Sequence, residues 1–234
     1  AMVETADAYF RAHAIARDMA GLDPLSMNVP ESQDYQLIYE KDLNQLGQSF
    51  TYDTNNAANF TGPFDRIAYY VEISDGDGTP QWVYVSMDAF TDDLSKIGIP
   101  TFGTGAVFQQ KLSNLNVTSN VRGVPNVQGR AGNIEFWPNN YGQSNAANVP
   151  GATSNAYDTG DQISTNKPDG YGSMQVHLAE PAVTVFALNN WKAETPDLGI
   201  GNNTHGREPD WTFSKSAGQF PIKHLKILVR PTKP

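Results

Sequence analysis

"QWVYVSMD", residues 81–88, alternates aliphatic with aromatic or polar side chains at every step. Successive residues of a strand face opposite ways, so Val83, Val85 and Met87 share one face while Trp82, Tyr84, Ser86 and Asp88 share the other. A helix would scatter both sets around its circumference. The same period of two, in segments rich in β-branched and aromatic residues, marks "YQLIYEKDL" (35–43), "DRIAYYVEIS" (65–74), "AVFQQKLSNLNVTS" (106–119), "GNIEFWP" (132–138), "YGSMQVHL" (171–178), "AVTVFALNNW" (182–191), "DWTF" (210–213) and "HLKILVR" (224–230). About nine strands follow from this pattern. Helical periods do not interleave with them, which argues against a parallel βαβ sheet and predicts an all-β protein, an antiparallel sandwich or jelly roll.

One segment reads differently. In "VETADAYFRAHAIARDMA" (3–20), Ala6, Phe10, Ala14 and Ile15 fall near one helical face before Gly21 and Pro24 end the pattern. "LDPLSMNVPESQD" then reads as an extended connection. Residues 1–34 are therefore expected to be a short N-terminal helix with its connection, and 35–234 the β domain.

The chain of 234 residues carries a formal net charge of -9, with 18% charged residues, 20 Gly and 15 Pro. Its polarity rests mainly on Asn, Gln, Ser and Thr, which suits a turn-rich β protein rather than a helical bundle. The acidic balance and scattered basic residues argue against nucleic acid or an anionic membrane as partner, because both need clustered Lys and Arg. Neutral ligands are the simpler expectation. There is no Cys, so disulfides, thiolate chemistry and Cys-ligated zinc are excluded. No apolar run approaches the roughly 18 residues that a spanning helix needs. The first 30 residues lack a basic-then-apolar export pattern.

Strand alternation also proposes a site. In "NIEFWP", Ile134 and Phe136 go inward and Asn133, Glu135 and Trp137 outward. In "GSMQVHL", Met174, Val176 and Leu178 go inward and Ser173, Gln175 and His177 outward. With Trp82 and Tyr84, these strands would offer rings to stack on beside amides and a carboxylate to hydrogen-bond hydroxyls, as sugar clefts do. Asn139, Asn140 and Tyr141, in the amide-rich segment after Pro138, and Trp191 after "ALNN" complete the candidate ligand-binding set. The competing reading is that the second face is covered, by loops or by the N-terminal helix, and that its aromatics are core.

No metal or cofactor is required by any motif. "SDGDGTPQ" places Asp75 and Asp77 in an Asp-x-Asp turn like the start of a calcium loop, but Ser86 stands where the twelfth-position Glu belongs, so a hairpin turn is the simpler reading. Asp158 and Asp161 in "YDTGDQ" are the other candidate oxygen ligands for a structural calcium. "GTGAVF" (103–108) lacks the Lys-Ser or Lys-Thr of a phosphate loop, and no Gly-x-Ser-x-Gly elbow exists.

Two resemblances bear on function. Gln175-x-His177 in "MQVHL" resembles a short signature of alginate-lyase-type polysaccharide lyases, where the glutamine neutralises a uronate carboxylate and the histidine assists proton abstraction. That family's arginine-rich strand and Tyr-Phe-Lys-x-Gly segment have no counterpart here. "FDRIAYYVEI", "WVYVSMDAFT", "KIGIPT", "GNIEFWPNNY", "GSMQVHL" and "PDWTF" together resemble a non-catalytic β-sandwich module attached to secreted bacterial carbohydrate-active enzymes, sialate O-acetylesterase-like and other polysaccharide-processing proteins. This second resemblance spans roughly Tyr35 to Arg230. It implies a secreted or cell-surface bacterial location, with the export signal no longer on this chain, and an appended catalytic module as partner. The expected function is a carbohydrate-binding module that holds its enzyme on a polysaccharide or oligosaccharide. The alternatives are a jelly-roll lyase or glycoside hydrolase using Gln175, His177 and Glu135, and a structural or docking module.

Overall fold

A computed structural model describes residues 24–46, 50–74, 79–99, 108–137, 173–181, 183–189, 197–201 and 221–234, the side chains of Pro24, Phe108, Gln109, Trp137, Ser173, Asn189 and Asp197 excepted. The protein is all-β and antiparallel. Its described strands are β1 (Gln36–Asp42), β2 (Thr54–Asn55), β3 (Phe64–Ser74), β4 (Gln81–Asp88), β5 (Phe108–Ser119), β6 (Val127–Trp137), β7 (Ser173–Leu178), β8 (Val183–Asn189), β9 (Asp197–Ile200) and β10 (Ile222–Pro231). They form one ten-stranded sheet in the order β2-β1-β10-β3-β4-β5-β6-β7-β8-β9. From β3 to β9 the sheet is a meander, and β10 returns to pair with both β1 and β3.

The sheet does not lie flat. Tyr69 of β3 meets Phe186 of β8 across the core with ring centroids 5.7 Å apart, although four strands separate them in the sheet. The right-handed twist of strands, accumulated over ten of them, curls the sheet into a half-barrel that packs its concave face against itself. The inward sets read from alternation line this concave core: Val83, Val85 and Met87 on β4, Ile134 and Phe136 on β6, and Met174, Val176 and Leu178 on β7, all buried. Each such side chain contributes about 1.5–3 kcal/mol of transfer free energy relative to exposure.

Bulges adjust the curl. The register of β5 against β6 shifts between Leu112 and Leu115, where Asn114 adopts φ 55°. Asn tolerates that left-handed backbone better than a branched residue would. Gly132 of β6 is required by close approach: a Cβ there would collide with the His177 carbonyl and come within 2.7 Å of Leu115 Cδ2.

The convex face is the correction to an open second surface. Residues 24–35 are not an extended connection but a helix (Pro24–Asn28) followed by a 3-10 turn (Pro30–Asp34). This strap lays Leu25, Val29 and Tyr35 on Ala68, Tyr70, Tyr84 and Leu228, with Leu37 and Trp82 packed at the margin. The expected helix at 3–20 and the strand at 210–213 lie outside the described residues. Two strands escaped the sequence reading: β2 has only two residues, and the "DLGI" of β9 is short and interrupted by Gly199.

Candidate functional site

The convex face carries two polar clusters. In the first, antiparallel pairing sets Asn133 opposite His177 and Glu135 opposite Gln175 between β6 and β7, and His177 opposite Thr184 between β7 and β8. Gly132 lets β7 approach this closely, so the residue that opens the "GNIEFWP" segment also positions the histidine. Asn133, Glu135, Gln175, His177 and Thr184 are all at most 2% exposed.

His177 Nδ1 lies 2.7 Å from Asn133 Oδ1. An amide oxygen only accepts, so Nδ1 donates and Nε2 carries the lone pair. Among the described residues Nε2 has no partner. The 3.8 Å approach of Glu135 Oε2 to Nδ1 would favour an imidazolium beside an ionised carboxylate. Complete burial outweighs it and pushes the His177 pKa down to about 3, so the ring is neutral at ordinary pH.

The second cluster surrounds Arg66 on β3. Its Nε donates to Tyr35 Oη at 2.9 Å, Nη1 to Asp88 Oδ1 at 3.1 Å, and Nη2 to Ser86 Oγ at 2.7 Å and to the Asn114 carbonyl at 2.9 Å. Ser86 Oγ in turn donates to Glu31 of the strap, as does Asn116 Nδ2. A planar guanidinium serves four acceptors on two strands and the strap at once, which a point-charge ammonium does not. The bulge at Asn114 aims its carbonyl at Arg66. This cluster is a fastening for the strap.

The sequence-derived site residues now divide into groups. Tyr84, Glu135, Gln175 and His177 were expected on an open face; all four are buried, Tyr84 beneath the strap with its ring edge-on to Tyr35 at 6.3 Å. Strand parity assigned their face correctly but not its cover. Trp82 is half-buried against Tyr70, centroids 6.1 Å apart, and so serves the convex cluster. The enzymatic reading, which needed Gln175, His177 and Glu135 open to a polymer, loses that geometry. The Trp137 side chain, Asn139, Asn140, Tyr141 and Trp191, and the calcium candidates Asp75, Asp77, Asp158 and Asp161, lie outside the described residues. Among the described residues no group of three His, Asp or Glu is gathered to hold a metal.

The candidate ligand-binding set lacked Asn133, which alternation places outward, and Thr184, both beside His177, and the Arg66–Glu31–Tyr35 fastening was missed. The signal for the latter was an arginine at an outward position of an otherwise apolar strand, in "DRIAYY".

Backbone register places one further row. Trp137 pairs with Ser173, Ser173 with Asn189, and Asn189 with Asp197. At the usual inter-strand spacing of about 4.8 Å, these four positions form a line of roughly 14 Å across β6 to β9, at one end of the sheet. Four residue types, Trp, Ser, Asn and Asp, thus hold adjacent register positions in the backbone. Compared with protein-family models, curated proteins and solved structures, the chain finds no match in any of the three.

Proposed function

We propose that this protein is a non-catalytic carbohydrate-binding module, recognising a neutral polysaccharide at the end of the sheet where β6 stops and β7 begins. The observation that carries the reading is the register row of Trp137, Ser173, Asn189 and Asp197. It combines a residue type that stacks on a sugar ring with types that hydrogen-bond hydroxyls, on adjacent strands of a rigid sheet. The net charge of -9 supports a neutral rather than polyanionic ligand. The burial of Gln175, His177 and Glu135 supports binding over turnover.

Isothermal titration against neutral plant and algal glycans tests this. Trp137→Ala is expected to weaken binding about tenfold or more, since stacking contributes of order 1 kcal/mol beyond the buried area. Its unfolding midpoint should stay put. No binding anywhere in the panel, or binding indifferent to Trp137→Ala, overturns the site.

A second reading, a structural or docking module of a multimodular enzyme, is favoured by one observation. Tyr35, Tyr70 and Tyr84 of the convex face are buried rather than offered to solvent. It predicts no glycan binding and no turnover.

A further inference from the structure

The edge of the sheet holds a cleft at the opposite end of the strand order from the row above. Strand β2 covers β1 for only two residues. Beyond Asn55 the chain leaves the sheet, and Asn56 completes the edge in place of a longer strand. Its N–H donates to the Ile38 carbonyl at 2.8 Å and its Nδ2 to the Leu37 carbonyl at 3.0 Å. The 3-10 turn Ala57–Asn59 then folds back on itself: Asn59 and Phe60 N–H groups donate to the Asn56 carbonyl at 3.0 and 3.1 Å. Between this turn and β1 lies a cleft of about 360 Å³ lined by Gln36, Leu37, Ile38, Asn56, Asn59 and Phe60.

The lining selects a ligand chemistry. It contains no charged side chain. An ionic ligand would be desolvated there without a counter-charge. A hydrocarbon would strand the amides it covers. Gln36 and Asn59 are exposed, and among the described residues neither side-chain amide has a partner, so each offers a donor and an acceptor. Phe60 is half-buried, held edge-on by Phe64 at 6.0 Å and 71°. A peptide adding itself as a strand is disfavoured, because the Leu37 and Ile38 carbonyls it would need are already taken by Asn56.

We infer that this edge cleft is a second saccharide-binding site, taking a neutral sugar unit on Phe60 with its hydroxyls on Gln36 and Asn59. Its ligand class rests on the carbohydrate-binding reading; its geometry does not depend on the Trp137 row. Two sites at opposite sheet edges would let one module contact two stretches of a polymer and gain avidity.

The experiment is an NMR titration of the side-chain amides with cellotriose, xylotriose, mannotriose and maltotriose. Gln36 and Asn59 amide signals are expected to shift and saturate with at least one of them. Phe60→Ala should weaken that titration about tenfold or more, as should the surface variant Asn59→Ala, which spares the hydrophobic contacts of Phe60. Trp137→Ala should leave the titration unchanged. Silence of Gln36 and Asn59 throughout the panel, or indifference to both cleft variants, overturns the inference. If binding is then lost only in Trp137→Ala, the proposed function stands without this site. If the cleft titrates while Trp137→Ala changes nothing in any assay, the cleft stands and the Trp137 site falls.

Discussion

His177 is charged in the unfolded chain below its ordinary pKa of about 6.5 but stays neutral in the fold down to about 3. Between those values the unfolded state binds more protons than the folded one. Stability therefore rises with pH across the window and is lost as pH falls from 6.5, by up to about 1.4 kcal/mol per pH unit. Urea unfolding at pH 7 and at pH 5 is expected to show this loss, and His177→Gln to flatten it. An imidazole NMR signal that titrates near 6.5 in the folded protein would contradict the assignment. The residue was visible in "MQVHL" as an outward-facing position. Its hydrogen bond to Asn133 came from a neighbouring strand 44 residues away.

At the scale of elements, the strap at residues 24–35 converts a possible binding face into interior. Leu25 is 2% exposed on the convex cluster and Glu31 is bound through Ser86 and Asn116. Leu25→Ala should cost about 2–4 kcal/mol of unfolding free energy. It should also increase binding of a hydrophobic dye, as Tyr70 and Tyr84 become reachable, with far-UV circular dichroism unchanged. A neutral result would mean that the strap is incidental to the fold. Pro24 and Pro30 leave no helical period in "LDPLSMNVPESQD" for a sequence pattern to detect. Both in fact sit at the first position of short helical turns, where a missing N–H costs nothing.

For the whole molecule, net charge and ligand class make a joint prediction. With a charge of -9, a uronate polymer would be repelled at low salt and helped by screening, whereas a neutral glycan would be indifferent. Glycan affinity is expected to vary less than twofold between about 50 and about 500 mM salt. A steep salt dependence, measured by titration calorimetry, would point to a charged ligand and away from both proposed sites.

The sequence by itself determined the class of fold and the two faces of each strand. The alternation in "QWVYVSMD" sent Val83, Val85 and Met87 to the core because pleating admits only two directions for a side chain. It also put Glu135 with Trp137, and Gln175 with His177, in the same phase of the pleat. Only the tertiary structure decided which side of the sheet would stay wet. That depended on the twist that brings β3 to β8, on a bulge at Asn114 that turns a carbonyl toward Arg66, and on a strap fastened from outside the sheet. Periodicity records the direction of a side chain relative to its own backbone. Cover is supplied by segments distant in sequence, and no local pattern encodes it.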